Sequence, residues 1–173
     1  MVPKRVSPYF DKMEVDNTLV KGRIVCCDSQ DFDVYIFGEL QKCFFGLCMC
    51  LNGAKIALRA NCNKCGNEIL IFNSECDGYD RECEGISNSG DVNTLEFAQF
   101  KCKCCLGNSF SIKVKYEYAA LDETDTDKID NAFTWIWITL ECNLCHTKYK
   151  ILLVMKLASV FRTNLHMKFI LII

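Results

Sequence analysis

Apolar and polar residues alternate most regularly over residues 110–118. The apolar positions share one face of the predicted strand: Phe110, Ile112, Val114, Tyr116 and Tyr118. Successive strand residues point to opposite sides of a sheet. This strand should therefore bury one face and expose the other, which carries Lys113 and Lys115.

A second predicted strand, over residues 133–140, is apolar on both faces. Phe133, Trp135 and Trp137 alternate there with Ile136, Ile138 and Leu140. Such a strand is typical of the centre of a sheet, covered on both sides. Further strand-like runs cover 55–60, 68–72, 95–100 and 149–154, and both prolines, Pro3 and Pro8, precede all of them. Because proline is what a central strand tolerates least, nothing bars a continuous sheet. The pattern predicts a mainly β protein, an antiparallel meander.

Three Cys-x-x-Cys pairs interrupt these strands at a period of 40 residues. The pairs are Cys62 with Cys65, Cys102 with Cys105, and Cys142 with Cys145. Each pair follows one predicted strand and precedes another, so each forms a turn, called a knuckle below, between two strands. Acidic, turn-rich segments at 74–85 and 121–130 reverse the chain between these units. All three knuckles should then lie at one end of the meander and the acidic loops at the other.

The units divide the chain into three predicted regions. Residues 1–54 form N-terminal strands, 55–155 the three knuckle units, and 156–173 an apolar tail. The tail fits a helix or a strand packed on the sheet, a partner-binding face, or a membrane-surface anchor. Residues 24–36 align with 102–114, which matches Cys26 and Cys27 with Cys104 and Cys105. The first region is therefore either a degenerate fourth unit of the same body or a strand of chance similarity.

Composition and charge narrow the class of protein. The 173 residues are half hydrophobic and a quarter charged, which is ordinary for a globular domain. A formal net charge of −2 argues against a dedicated binder of duplex DNA. The basic N-terminus has no apolar run behind it, and no uninterrupted run reaches the roughly 18 residues of a membrane span. We expect a cytoplasmic protein, in which the 14 cysteines serve as metal ligands or redox centres rather than disulfides.

Paired knuckles present the ligands that structural zinc prefers. Zn²⁺ binds four ligands in a tetrahedron, and each knuckle supplies two thiolates. The expected ligands are Cys62, Cys65, Cys102, Cys105, Cys142 and Cys145. Six thiolates exceed one site, so we expect one or two Zn²⁺ per chain. Cys104 falls outside the period and is predicted to be a small buried thiol.

The sequence alone leaves open which two knuckles share a metal site. The cleaner hairpin between the second and third knuckles favours a site of Cys102, Cys105, Cys142 and Cys145. Cys62 and Cys65 would then draw on the N-terminal half, where Cys43, Cys48 and Cys50 are concentrated. The candidate pairs are Cys48 with Cys50, Cys26 with Cys27, Cys76 with Cys83, and a knuckle of a second chain.

A knuckle needs a tight turn behind its second sulfur. Gly66 and Gly107 suit that turn because glycine enters positive φ without penalty, whereas the third unit has His146. Strand, knuckle and strand with C-x-x-C-G resemble the zinc-ribbon, or rubredoxin-like, group over about residues 55–155. The resemblance implies metal-stabilised hairpins that bind proteins or nucleic acids, with the six cysteines as ligands.

These patterns lead to one main functional hypothesis and two alternatives. The first is a non-catalytic zinc-binding protein whose surface contacts proteins, with self-association through the third knuckle or the tail. The second is a nucleic-acid-associated factor that uses Trp135, Trp137 and a basic knuckle end, since bases stack on aromatic rings while lysines contact phosphates. The core interpretation of both tryptophans argues against it. The third is a thiol–disulfide redox protein, which knuckles between strands rather than at a helix start do not favour.

Overall fold

The computed structural model describes residues 2–38, 40–43, 46–49, 56–74, 77, 96–118 and 133–154. After one turn of 3₁₀ helix at Ser7–Tyr9, its strands are β1 Phe10–Asp16, β2 Leu19–Ile24, β3 Phe32–Phe37, β4 Leu40–Cys43, β5 Gly46–Met49, β6 Ala57–Cys62, β7 Glu68–Asn73, β8 Ala98–Gln99, β9 Ser109–Tyr118, β10 Phe133–Cys142 and β11 Lys148–Val154. The prediction of a mainly β, antiparallel protein is confirmed. The predicted C-terminal helix and the loop at 121–130 lie outside the described residues.

The described strands form a single sheet. Its main path runs β4-β5-β11-β10-β9-β3-β6-β7, while β1 pairs with β2, β2 with β9, and β8 with β3. Every described pair is antiparallel except β5 with β11. In this part of the chain, no helix has the length and apolarity needed to cross a membrane.

Two halves of the chain repeat the same strand pairing. We call residues 19–73 the first half and residues 98–154 the second half. In the first half Phe32 pairs with Cys62, and in the second half Phe110 pairs with Cys142. Phe32 and Phe110, which the alignment of 24–36 with 102–114 matches, therefore hold corresponding positions in the strand pairing.

The two halves are joined by exchanged strands. The strand that enters the first turn, β2, pairs with β9 of the second half, and β8 of the second half pairs with β3 of the first. At the junction, β3 pairs with β9 through Phe32 opposite Phe110 and Asp33 opposite Ser109. Each half thus completes the sheet of the other, which differs from the simple meander expected.

The core lies on one face of these strands. Along β9 the side chains alternate between buried and partly or fully exposed, as the sequence predicted, and Lys113 is exposed. Ring contacts join the strands across the core, for example Tyr116 to Phe133 with centroids 5.1 Å apart and Phe100 to Phe110 at 5.3 Å. Alternating apolar residues from both halves therefore pack into one hydrophobic cluster.

β10 is central in the sheet, as predicted, but its two faces are buried unequally. A shift of register between Phe133 and Trp135 leaves Phe133 fully buried with the isoleucines, while Trp135 and Trp137 stay only half-buried on the opposite face. That face also carries the lysines of β9. The bulge explains why Phe133 does not share the face of Trp135 and Trp137, as the strict alternation had predicted.

An ion pair anchors the N-terminal segment to the sheet. Asp77 belongs to the acidic segment 74–85 predicted to be a loop, yet it is fully buried. Its carboxylate accepts hydrogen bonds from the Arg5 guanidinium and from the backbone N–H of Asn73, the latter at 2.8 Å. Arg5 also donates to the Leu70 carbonyl at 3.0 Å. Pairing and hydrogen bonding compensate the burial of this charge.

Candidate metal centres

Eight cysteines from four turns form two separate clusters. The first cluster comprises Cys26, Cys27, Cys62 and Cys65, and the second comprises Cys102, Cys105, Cys142 and Cys145. In each cluster all four sulfur atoms lie within 4.8 Å of one another. Each half of the chain therefore contributes one cluster, built from two turns that face each other.

The sulfur separations fit a tetrahedral metal site. In the second cluster, Cys102 Sγ lies 3.4 Å from Cys145 Sγ, and Cys105 Sγ lies 3.5 Å from Cys142 Sγ. Zn–S bonds of about 2.3 Å place tetrahedral sulfurs about 3.8 Å apart, whereas a disulfide needs about 2.05 Å. Both clusters could hold a metal ion, and these sulfur–sulfur distances exclude a disulfide between the partners.

The first cluster has the same arrangement with a shorter turn. Cys26 Sγ lies 3.6 Å from Cys65 Sγ, and Cys27 Sγ lies 3.6 Å from Cys62 Sγ. By these contacts Cys27 corresponds to Cys105, while Cys26 takes the part of Cys102. The sequence alignment, which matched Cys26 with Cys104, is wrong at this point. Two adjacent cysteines replace the Cys-x-x-Cys pair because Cys27 and Asp28 take positive φ of 45° and 64° and shorten the turn.

Three knuckles share one backbone turn. The residue directly after the second cysteine has positive φ in each: Gly66 at 73°, Leu106 at 61° and His146 at 58°. Its N–H donates to the carbonyl of the first cysteine at 2.8 to 2.9 Å. The prediction that Gly107 provides the positive φ is therefore wrong. Gly107 instead leaves room for a neighbour, since a Cβ there would lie 2.6 Å from Leu144 Cδ1.

Local hydrogen bonds favour the thiolate form at one end of each cluster. The backbone N–H of Asn67 lowers the pKa of Cys65 to about 7, with a further contribution from Cys27. The Thr147 hydroxyl and backbone likewise lower the pKa of Cys145. Desolvation and hydrogen bonds to neighbouring thiols raise the pKa of Cys27 to about 12. A bound divalent cation would favour deprotonation of all four thiols.

The two clusters differ at one side chain that stabilises a thiolate. The Tyr149 hydroxyl lies 3.3 Å from Cys102 Sγ, and it lowers the pKa of Cys102 to about 6. The same hydroxyl accepts a hydrogen bond from the Lys103 backbone N–H at 2.7 Å. The corresponding residue of the first half is Ile69, which has no such donor. The second cluster therefore has the more stable thiolate before metal binds.

Asp31 connects the two clusters. Its Oδ1 accepts hydrogen bonds from Asn63 Nδ2 at 2.9 Å, from Ser109 Oγ at 2.6 Å and from Asn143 Nδ2 at 3.2 Å. Asn63 lies inside the knuckle of the first cluster and Asn143 inside a knuckle of the second. The backbone makes an equivalent hydrogen bond in each half. The N–H of Asn63 donates to the carbonyl of Asp31, and the N–H of Asn143 donates to the carbonyl of Ser109, both at 3.0 Å.

The tips of the two clusters present different chemistry. Leu106 and Leu144 lie beside the second cluster with 75% and 67% of their surfaces exposed. The corresponding residues of the first half are Asp28 and Lys64, and Lys64 Nζ donates to the Cys27 carbonyl at 2.9 Å. Since the same turn is built with charged residues in one half, the exposed leucines are not required by the knuckle itself.

The structure brings all six predicted cysteines into these clusters and adds two. The pairing of the second and third knuckles is the one that the hairpin between them favoured, while Cys62 and Cys65 meet Cys26 and Cys27. The alternative partners Cys50, Cys76 and Cys83 lie outside the described residues, as do the side chains of Cys43 and Cys48. Cys104 lies outside both clusters as predicted, but it is exposed rather than buried.

Comparison with known proteins gives no relative from which a function could be transferred. No protein-family model matches the chain, and neither a curated protein nor a solved structure matches it significantly. What the fold and the clusters define is a β protein with two four-cysteine sites suited to metal.

Proposed function

We propose that this chain is a non-catalytic zinc-binding protein of zinc-ribbon-like construction, whose two metal centres stabilise the sheet while its surface contacts a protein partner. The observation that carries the proposal is the presence of two separate sets of four thiols at tetrahedral spacing. Four thiolate ligands are typical of structural zinc.

The ligand set argues against hydrolytic chemistry. Catalytic zinc keeps an open position and usually has histidine or carboxylate ligands, whereas four thiolates close the coordination sphere. His146 follows a proposed ligand, but its imidazole is exposed, and its Nδ1 lies 3.7 Å from Glu141 Oε1. Clusters of four thiols also support metal binding better than thiol–disulfide exchange, which needs only two thiols. Reduced thiols suit the cytoplasm, the compartment we infer.

The partner surface that we infer is the tip of the second cluster. Leu106 and Leu144 are both exposed there, and exposed Lys101 and Lys103 lie beside the first of them in the chain. Exposed leucines fit an apolar pocket, and the lysines fit acidic groups around that pocket. The favoured partner is therefore a protein with an apolar pocket rimmed by carboxylates.

Elemental analysis of protein purified without reductant or chelator is the direct test. We expect two zinc ions per chain, and a cobalt-substituted sample should show the absorption of tetrahedral thiolate ligands. In affinity capture, the partner protein that the wild type retains should be lost by a Leu106→Ser, Leu144→Ser variant whose metal content is unchanged. A monomeric protein that folds without metal would contradict the proposal.

A further inference from the structure

The outer face of the second half carries two rows of side chains across neighbouring strands. One row runs from Arg23 on β2 through Lys113 on β9 and Thr139 on β10 to Lys150 on β11. The other row runs from Lys21 through Lys115 to Trp137. We call Lys21, Arg23, Lys113, Lys115, Lys150 and Trp137 the cationic face.

Part of this charge has no ion-pair partner within the described ranges. Among the described residues, Lys113 and Lys150 have no carboxylate within ion-pair distance, and both are exposed. Asp11 contacts Arg23 at 2.7 Å, Glu14 contacts Lys21 at 3.3 Å, and Glu117 pairs with Lys115. Two further acids lie on this side: Glu141, near Lys148 and His146, and Asp31, which lines one groove together with Arg23, Lys113 and Glu141.

The register places like charges directly opposite each other. Lys21 faces Lys115, and Arg23 faces Lys113, across the β2–β9 pair. Like charges in such positions oppose strand pairing, and the carboxylates of β1 relieve them only in part. An external anion over the face would relieve the rest.

The first half shows that the fold does not require these cations. Its corresponding row runs through Gln99, Tyr35, Arg59 and Leu70. The single cation, Arg59, lies 4.3 Å above the ring of Phe97 and 5.2 Å from that of Tyr35, and it pairs with Glu68 at 3.3 Å. Two faces with the same backbone thus differ in chemistry, one covered by aromatic rings and one charged and open.

We propose that the cationic face binds single-stranded nucleic acid. Trp137 is only partly exposed, with its Nε1 buried, and Lys115 Nζ lies 5.9 Å from the centroid of its ring. A base would stack on the exposed part of this ring. Single strands combine an anionic backbone with bases that stack on exposed aromatic rings, and this face offers both contacts. A duplex hides its bases and would engage the lysines alone. This inference does not depend on the protein partner proposed above.

The test uses full-length, metal-loaded protein and a labelled single-stranded oligonucleotide of about 20 nucleotides. We expect binding at about 50 mM salt that weakens steeply by about 200 mM, with a slope of about −0.7 in log K for each phosphate neutralised. In the variant Lys113→Glu, Lys150→Glu the slope of log K against log salt should be smaller in magnitude by about 1.4, and binding should be at least tenfold weaker. Lys12→Glu is the control for Lys113→Glu alone, which changes the charge equally, because Lys12 is exposed but faces the other side of β1, opposite Gly22.

Fluorescence separates stacking from simple charge attraction. With only two tryptophans in the chain, Trp135→Phe leaves Trp137 as the reporter, and oligonucleotide should quench it. Trp137→Phe should bind more weakly and show little quenching. No binding at low salt, equal losses from Lys12→Glu and Lys113→Glu, or quenching through Trp135 alone would overturn the proposal. So would binding to vesicles of anionic lipid without binding to the oligonucleotide.

Discussion

Phe32 and Phe110 lie directly opposite each other in the β3–β9 pair, and each also pairs with the last cysteine of a strand in its own half, Cys62 of β6 and Cys142 of β10. They are corresponding residues, so the two halves meet through identical positions. Such self-complementary contact is the geometry of a twofold dimer interface. The chain therefore has the architecture of a dimer whose two subunits are joined in one polypeptide.

This architecture predicts that neither half folds by itself as a monomer. In each half one strand pairs with a strand of the other half: β9 of the second half with β2, and β3 of the first half with β8. Fragments 1–86 and 87–173, prepared with zinc, should each lack a cooperative thermal transition as monomers. Mixed before refolding, they should form a one-to-one complex on gel filtration. A monomeric fragment with native-like circular dichroism and a cooperative melt would contradict this account.

Adjacent cysteines provide the sharpest test of the ligands. Cys105 belongs to the second cluster, whereas Cys104 lies outside both and is exposed. Metal-binding free energy is folding free energy in such sites, on the order of 10 kcal/mol. Cys105→Ser should lose one metal ion per chain and unfold at a much lower temperature. Cys104→Ser should retain both ions and melt within a few degrees of the wild type, since a surface substitution costs about 0.5 kcal/mol or less. Equal melting temperatures would show that Cys105 does not bind the metal.

The sequence predicted the three knuckles and the strands beside them because both signals are local. Alternation over 110–118 and the 40-residue period needed no knowledge of distant contacts. Cys26 and Cys27 were only one of several candidate pairs, since adjacent cysteines differ from the Cys-x-x-Cys spacing. What makes them equivalent is the turn at Cys27 and Asp28, which departs from the usual backbone conformation.

Long-range features were not predictable from local patterns. The exchange of β2 and β8 between halves depends on strand pairing across more than 50 residues. The place of Phe133 on the core face, opposite to Trp137, depends on a bulge between Phe133 and Trp135. A period-two pattern carries no record of a bulge, so the sequence predicted all three rings on one face.

Asp31 should contribute to stability through both clusters at once. Its carboxylate accepts hydrogen bonds from Asn63, Ser109 and Asn143, which leaves three donors without this acceptor in Asp31→Ala. Because these groups are partly exposed, water replaces some of the lost bonds, and we expect a cost of about 2 kcal/mol. Glu96→Ala removes an exposed carboxylate elsewhere and should change little. Chemical denaturation of both variants measures the difference, and equal stabilities would argue against a connecting role for Asp31.

The glycines should differ in their tolerance of alanine. A Cβ on Gly22 would lie 2.4 Å from the Asp11 carbonyl oxygen and 2.6 Å from the Phe10 ring, so Gly22→Ala must shift the β1–β2 pair and should cost about 3 kcal/mol. Gly66 has open space but a φ of 73°, so Gly66→Ala should cost about 1 kcal/mol. Thermal melts should rank Gly22→Ala below Gly66→Ala. The reverse order would mean that backbone conformation, rather than close approach, limits these sites.

Tyr149 should make the second cluster more resistant to acid than the first. Its hydroxyl lowers the pKa of Cys102 to about 6, so protons displace a metal from this thiolate only at lower pH. In Tyr149→Phe the pKa of Cys102 rises, and the second cluster should release its metal at higher pH. A hydrogen bond to a charged group contributes about 1.5–3 kcal/mol, which corresponds to about one to two pKa units at Cys102. Metal release involves protonation of four thiolates, so a shift at one of them moves the pH midpoint of release by about a quarter of that amount. The midpoint should therefore rise by roughly 0.3 to 0.5 pH unit.

The first cluster is the internal control for this effect, because Ile69 stands where Tyr149 stands in the second. Zinc release into a chromogenic chelator during acidification should show two steps, assigned with Cys62→Ser and Cys142→Ser, which each remove one site. Tyr149→Phe should move only the step at lower pH. A shift of both steps, or of neither, would mean that the hydroxyl does not stabilise the Cys102 thiolate when metal is bound.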